Sequence, residues 1–319
     1  MKTILMTGGT GMVGRALSRM LVNKGYKVII LTRDIQNRVQ AENISYAKWD
    51  INKKQIDLQA VQQSEYIIHL AGAGVFDKKW TAAYKKEIAD SRTNSSRLII
   101  DTLKQHSHSI KSVISASAIG WYGADHMPNR TVKQPELIEK DRFQENEKAD
   151  SSFLGETCRL WEESIDPVTA LGIRLVKLRI GIVLSNDGGA LAEFKKPLRF
   201  GIGAVLGNGR QVVSWIHIED LCRSFIHALE NEKLQGSYNA VAPGPVTNKT
   251  LTLKLANIIK GKFFIPVNVP NFILKLLLGQ RSIEVLKSAT ASCRKLKETG
   301  FVFLYPSIEA ALNELVSKK

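Results

Sequence analysis

The stretch Ile4-Leu5-Met6-Thr7-Gly8-Gly9-Thr10-Gly11-Met12-Val13-Gly14 decides the fold. An apolar run leads into glycines at 8, 11 and 14. A segment of helical period follows, with Met12, Val13, Ala16, Leu17, Met20 and Leu21 recurring on one face. Gly25 supplies a stop, and Lys27 to Thr32 reads as a second strand. Strand, turn, helix and strand in this order predict a dinucleotide site. Gly8 permits the tight turn, Gly11 lets backbone approach a pyrophosphate, and Gly14 lets the helix pack closely on the sheet. Main-chain amides and the helix dipole then face the phosphates, so Gly8, Gly11, Met12, Val13 and Gly14 are the expected contacts. The plain alternative is a glycine-rich turn that binds nothing.

Cofactor choice is read at the end of the second strand, Leu31-Thr32-Arg33. A ribose 2′-hydroxyl calls for a carboxylate there, whereas a 2′-phosphate calls for positive charge. Arg33 offers a planar fork of donors and Thr32 a hydroxyl, which selects NADP(H). A strand one residue longer would instead put Asp34 at the ribose and leave Arg33 as surface charge. Ligands of doubly wound sheets collect at the carboxyl ends of strands. A third strand near Ser45 to Trp49 therefore carries Asp50 toward the adenine. A fourth, Tyr66 to Leu70, carries Leu70, Ala71 and Gly72 toward its ribose.

The fifth strand, Ser112 to Ser117, runs into Ala118-Ile119-Gly120-Trp121-Tyr122-Gly123, where a nicotinamide should lie. Ser117 could hydrogen-bond a reacting carbonyl or hydroxyl, and Tyr122 could act as an acid if its pKa were lowered. Against these catalytic readings stand local backbone bonding for the serine and turn packing for the tyrosine. Between strands, a helix over about 81–104 carries Glu87 and Arg92, unremarkable on a solvent face. Residues 124–150 are polar and suit an excursion over the pocket.

A helix over about 153–164 and a strand over 173–179 precede the glycine-rich stretch that contains Gly201, Gly203, Gly207 and Gly209. There Lys195, Lys196, Arg199 and Arg210 read first as solvated charge and could otherwise meet an anionic substrate. Val212 to Ile216 reads as a strand and Glu219 to Glu230 as a helix, returning to the core. From Asn248 four short helical patterns follow. The fold class expected is α/β, a Rossmann-like doubly wound parallel sheet with a smaller C-terminal substrate lobe. Residues 1–184, completed by about 212–242, form the nucleotide domain, and 185–319 without that returning segment form the lobe.

At 319 residues and 44% hydrophobic content the chain can bury a substantial core. Met1-Lys2-Thr3 leads straight into a strand, so no signal peptide is read and a cytoplasmic location is expected. Phe263 to Leu278, broken by Pro266, Pro270 and Lys275, is no membrane span; it reads as buried or pocket-lining, with membrane-surface contact through Phe272 to Leu278 as the other reading. Cys158, Cys222 and Cys293 are too scattered for a thiolate metal cluster, and no metal is expected. The net charge of +15 is uneven, for residues 249–319 carry 12 Lys+Arg against 4 Asp+Glu. No basic stripe interleaved with stacking aromatics appears, so nucleic acid is not an expected partner.

Together these residues resemble the extended branch of the short-chain dehydrogenase/reductase superfamily, home of nucleotide-sugar epimerases and dehydratases. Thr7 to Gly14, Leu70-Ala71-Gly72, Ser115-Ala116-Ser117-Ala118 and Trp215-Ile216-His217-Ile218-Glu219-Asp220-Leu221 are similar to its signatures in the same order. Phe76-Asp77-Lys78-Lys79-Trp80, Ser91-Arg92, Leu184-Ser185 with Gly188-Gly189, and Gly300-Phe301 with Tyr305-Pro306 resemble its "epimerase family" group, which carries a C-terminal domain of unknown function.

The resemblance implies NADP(H) binding and promotes Thr32, Arg33, Leu70, Ala71, Glu87 and Arg92 to cofactor contacts. It implies an oxidoreductase or nucleotide-sugar epimerase, acting on a small or nucleotide-linked carbonyl or alcohol, with a homodimer left open. One departure is plain. The superfamily's tyrosine and lysine four residues apart are missing from Ser152-Phe153-Leu154-Gly155-Glu156-Thr157-Cys158-Arg159. Ser117 with Tyr122 or His217 would then handle substrate, and a catalytically silent NADP(H) sensor is the alternative.

Overall fold

The computed structural model describes residues 1–36, 38, 41–125 and 142–317. Most of the excursion expected at 124–150 therefore lies outside the described residues. In chain order the first part reads β1 (Thr3–Thr7), α1 (Met12–Asn23), β2 (Lys27–Thr32), β3 (Ile44–Asp50), β4 (Gln55–Ile56), α2 (Leu58–Gln62), β5 (Tyr66–His69), α3 (Ala82–Gln105), β6 (Ser112–Ala118), α4 (Phe153–Ile165) and β7 (Arg174–Ile180). There follow β8 (Ile182–Ser185), β9 (Gly188–Gly189), α5 (Ala190–Leu198), β10 (Ile202–Leu206), β11 (Val212–Val213), β12 (Trp215–His217), α6 (Ile218–Glu230) and β13 (Gly236–Ala240). The last elements are β14 (Val246–Thr247), α7 (Asn248–Lys260), β15 (Ile265–Val269), α8 (Asn271–Leu278), α9 (Ser282–Leu286), α10 (Arg294–Glu298) and α11 (Ile308–Ser317).

The main sheet runs β13-β7-β6-β5-β1-β2-β3-β4. Every pairing in it is parallel except the β3–β4 edge. Strand order reverses between β1 and β5, where Thr7 lies beside His69. Because parallel strands are covered on both faces, β1 can be apolar from Ile4 to Met6, and its side chains alternate between two cores. Ile4 and Met6 join Leu17 and Leu21 of α1 and Leu221 and Phe225 of α6. Leu5 joins Leu98, Ile99 and Leu103 of α3. Each such fully buried aliphatic side chain contributes roughly 1.5–3 kcal/mol.

A third core, with Leu184, Leu191, Trp215, Leu251 and Leu312, underlies the C-terminal part. Buried polar links join that part to α6. Asp220 of α6, fully buried, accepts the amides of Leu304 at 2.8 Å and Tyr305 at 2.9 Å and pairs with Arg223 at 3.1 Å. His217 Nε2 lies 2.9 Å from Glu314 Oε2 of α11, and its ring packs on Tyr305.

Several expectations are corrected. The strand expected over Val212 to Ile216 is split at Ser214. That residue's carbonyl accepts from Ile182 N and its hydroxyl donates to the Ala289 carbonyl, so the two halves pair differently: β11 with β14, β12 with β8. The glycine-rich stretch after Gly201 holds a strand, β10, paired in parallel with β15. Phe263 to Leu278 is not wholly buried, since Phe263, Ile265, Val267, Phe272, Leu276 and Leu277 are all exposed.

Candidate functional site

At the switch point the Thr7–Gly14 turn closes on itself. Gly8 has φ +66°, and a Cβ there would lie 2.7 Å from the Leu70 carbonyl oxygen. A Cβ on Gly14 would lie 2.4 Å from Gly8 O and 2.5 Å from Gly9 Cα. Gly11 stands at the N-cap of α1 with no side-chain cap, so the first-turn amides are left without a side-chain partner at their own terminus. Met12 reaches toward Gly189 of the β8–β9 hairpin, whereas Val13 packs into the core.

The turn is tied to β5 by a polar relay that sequence reading missed. Leu70 N and Ala71 N each donate to Thr7 Oγ1 at 3.1 Å. The Thr7 hydroxyl faces His69 Nδ1 at 2.8 Å, and His69 Nε2 faces Ser96 Oγ at 3.1 Å. Ser96 in turn donates to the Arg92 carbonyl at 3.0 Å. Thr7 already accepts two amides, so its proton goes to Nδ1 and Nε2–H goes to Ser96: His69 is neutral. Burial lowers its pKa from 6.5 to about 3, in keeping with that tautomer.

The unfolded chain therefore takes up this proton near pH ~6.5 while the folded chain resists it to about 3. Stability is complete above the higher value and falls with pH through that window. Chemical unfolding followed from pH 7 to 4 should show this loss, and His69→Gln should flatten it.

The Leu70–Gly74 turn is held from below by α3. Ser91 Oγ accepts Ala73 N at 2.9 Å, and Arg92 donates to the carbonyls of Ala73 and Ile88 at 3.0 and 2.8 Å. Arg92 Cζ sits 3.0 Å from where a Gly72 Cβ would be, and lies over the Trp161 ring. It belongs under the loop, not on a solvent face. Glu87 stays at the surface, paired with Lys78 at 3.3 Å.

Thr32 ends β2, and its hydroxyl exchanges hydrogen bonds with the Asp34 backbone. Arg33 follows, exposed, just past the strand. Asp34 is thus two residues beyond the strand end. Asp50 ends β3, where Oδ1 accepts Asn52 N and Lys53 N at 3.0 and 3.1 Å and fixes the turn into β4. The structure brings Gly8 to Gly14, Thr32, Arg33, Asp50, Leu70 to Gly72 and Arg92 to the carboxyl ends of the parallel strands.

Ser117 and Tyr122 lie at the same end but turn into a buried network. Ser117, 2% exposed, donates to Glu162 Oε1 at 2.7 Å. Arg179 holds Glu162 at 2.8 and 3.1 Å, Ser237 donates to it at 3.0 Å, and Lys177 stands 3.5 Å away. Arg179 also donates to the Tyr122 hydroxyl at 3.0 Å, which donates to Asn239 Oδ1 at 2.8 Å. Burial is the largest influence on the phenol and raises its pKa to about 12, so the lowered value that acid catalysis requires is absent. Strand alternation turns Ala118, not Ser117, to the opposite face.

Helix α4 presents Leu154 and Cys158 to Gly120 of this turn; neither can replace the missing tyrosine and lysine. Burial pushes the Cys158 thiol up to about 12. His217 is drawn into its bond with Glu314 and accepts the Glu219 amide as the cap of α6. Two other ionisable groups border Tyr122–Gly123. Lys287 Nζ lies 3.3 Å from the Tyr122 carbonyl and 2.7 Å from Glu284. An Asp150 oxygen lies 2.6 Å from where a Gly123 Cβ would be.

An amide-lined turn at the switch point of a doubly wound sheet defines a Rossmann-like protein. Residues 4–147 match the NAD dependent epimerase/dehydratase family, and 269–315 match a domain of unknown function, DUF1731. The epimerase family protein YfhF of Bacillus subtilis is 33% identical over 316 residues, covering 99% of this chain and 98% of its own. An epimerase family protein of Staphylococcus aureus strain MRSA252 is 34% identical over 320 residues, with both chains covered in full. Among solved structures, human epimerase family protein SDR39U1 with NADPH aligns at TM-score 0.82 and 24% identity, covering 99% of this chain and 100% of that one. The chain belongs to the NAD-dependent epimerase/dehydratase family, in the group named epimerase family proteins.

Proposed function

We propose that this chain binds NADP(H) across the carboxyl ends of β1, β2, β5 and β6 and acts as an oxidoreductase or epimerase on a small, nucleotide-linked carbonyl or alcohol. The observation that carries it is the cradle at Gly8–Gly14, which a single Cβ would fill and whose helix amides have no side-chain cap. Arg33, exposed beyond β2, is the group for a 2′-phosphate, with Thr32 and Asp50 beside it. The relay from Thr7 to Arg92 sets the floor for the ribose. Nicotinamide would supply the hydride. NADPH in the human relative and nucleotide sugars in epimerase neighbours such as the Methanobrevibacter UDP-N-acetylglucosamine 4-epimerase support this reading.

With α4 presenting Leu154 and Cys158 there, Lys287 and Asp150 are proton-carrying groups near the turn among the described residues, and we assign them to the substrate side. The division into a nucleotide domain of 1–184 with 212–242 and a substrate lobe beyond it fits that arrangement.

Calorimetric titration with NADPH and NADH tests the cofactor. Arg33→Ala should weaken NADPH by roughly 10–100-fold, the loss of one or two charge-assisted hydrogen bonds, and leave NADH unchanged. A preference for NADH that Arg33→Ala does not alter would remove the phosphate clamp. Oxidation of NADPH by a panel of UDP-ketosugars, lost in Lys287→Met, tests the chemistry.

A further inference from the structure

The C-terminal part carries two basic, aromatic tips that the β10–β15 pairing sets side by side. One is the end of α5 and the turn after it, Lys195-Lys196-Pro197-Leu198-Arg199-Phe200; the other is the end of α7 and the turn after it, Lys260-Gly261-Lys262-Phe263. Ile202 pairs with Ile265, and Ile265 N donates to the Gly201 carbonyl at 2.8 Å, so the two phenylalanines leave adjacent strand starts. Both are held on hydrogen-bonded turns, Phe200 N to Pro197 O at 3.0 Å and Phe263 N to Lys260 O at 3.1 Å. They are nonetheless 83% and 86% exposed, with Ile265 at 69% beside them. Rings so placed gain nothing from this chain's own core.

The charge around them is predominantly positive, with Glu193, paired to Lys196 at 2.6 Å, at its border. Segments 194–218 and 233–283 contain no Asp or Glu, while they carry 4 and 7 Lys+Arg respectively. Arg199 and Lys262 are exposed next to the rings. A second copy of the chain would bring the same positive charge against itself. Nucleic acid would use the charge, but the aliphatic Ile202, Ile265 and Val267 beside the rings offer no stacking plane and no donors for base edges. Apolar tips ringed by cations match a surface with anionic headgroups above hydrocarbon.

We infer that the Phe200 and Phe263 tips, with Arg199, Lys260 and Lys262, dock this protein on an anionic lipid surface. The rings enter the headgroup boundary while the cations meet lipid phosphates, and the main sheet stays in water.

Flotation of the full chain with vesicles of phosphatidylcholine, alone or with about one-third phosphatidylglycerol, is the test. Binding is expected only with phosphatidylglycerol, weakening as salt rises. The double variant Phe200→Ser/Phe263→Ser should bind at least about tenfold less. Both sites are exposed, so its thermal unfolding should match that of the parent. Lys260→Gln/Lys262→Gln should reduce binding without changing unfolding. No flotation, flotation indifferent to the paired serines, or a solution dimer that those serines abolish would each overturn the proposal. So would retention of single-stranded DNA, lost in the serine variant, by protein that ignores vesicles.

Discussion

Gly14→Ala should abolish measurable NADPH binding and lower stability by about 3 kcal/mol, the upper range for forcing a methyl group into a packed site. The new carbon would stand 2.4 Å from Gly8 O and 2.5 Å from Gly9 Cα. Both obstacles are backbone, so no rotamer change relieves them. Either α1 moves off the sheet or the turn opens, and each outcome displaces the amides that face the pyrophosphate. Calorimetric titration and urea unfolding read the two effects separately. An alanine variant that binds NADPH as the parent does would show that the turn is not the nucleotide cradle.

Arg179→Ala should destabilise the fold by about 3–5 kcal/mol, because it strands the Glu162 carboxylate in the interior. Arg179 is 3% exposed and Glu162 4% by side chain, and Lys177 at 3.5 Å is the remaining cation. The guanidinium also lies 3.6 Å from the Trp121 ring centroid, so the turn that follows β6 loses its support. Replacing both partners, Glu162→Met with Arg179→Leu, should recover much of the loss, as uncharged side chains need no partner.

The pH response has a defined sign. Burial pushes the Glu162 carboxyl up, but the bonds and charge of Arg179, the charge of Lys177 and the Ser117 bond outweigh it, and the net value is lowered. Its contribution is thus complete above the ordinary carboxylate pKa and vanishes as pH falls through the lowered one. Urea unfolding at neutral pH and again near pH 3 should show the gap between parent and Arg179→Ala narrowing in acid. A cost below ~1 kcal/mol at neutral pH would mean that the network is dispensable.

What the sequence made legible was whatever local chemistry decides. The glycine spacing requires a turn whose backbone crowds Leu70, and β2 stops at Thr32 as its apolar run does. The helices α1, α3 and α4 lie within a residue or two of where local sequence puts them. Hidden from it were features fixed by partners far along the chain. His69 reads as one more residue of a buried strand until Ser96, 27 positions on, closes its second nitrogen. Ser117 looked available because Glu162, 45 positions away, leaves no local trace. β10 and β15 carry Gly203 and Pro266 in their interiors, which argue against strands in isolation, yet the two residues face each other across the ladder.

Asp220 sets a limit on how the molecule can be taken apart. Its two oxygens accept the main-chain amides of Leu304 and Tyr305, and the side chain is fully enclosed. A chain cut before that loop would leave an anion with Arg223 as its one remaining bonded neighbour among the described residues, an expensive orphan at the base of the helix that packs on α1. Grafting a foreign tail onto this nucleotide-binding half will therefore succeed only if the donor brings two amides to the same spot, or if position 220 is made neutral in the same step.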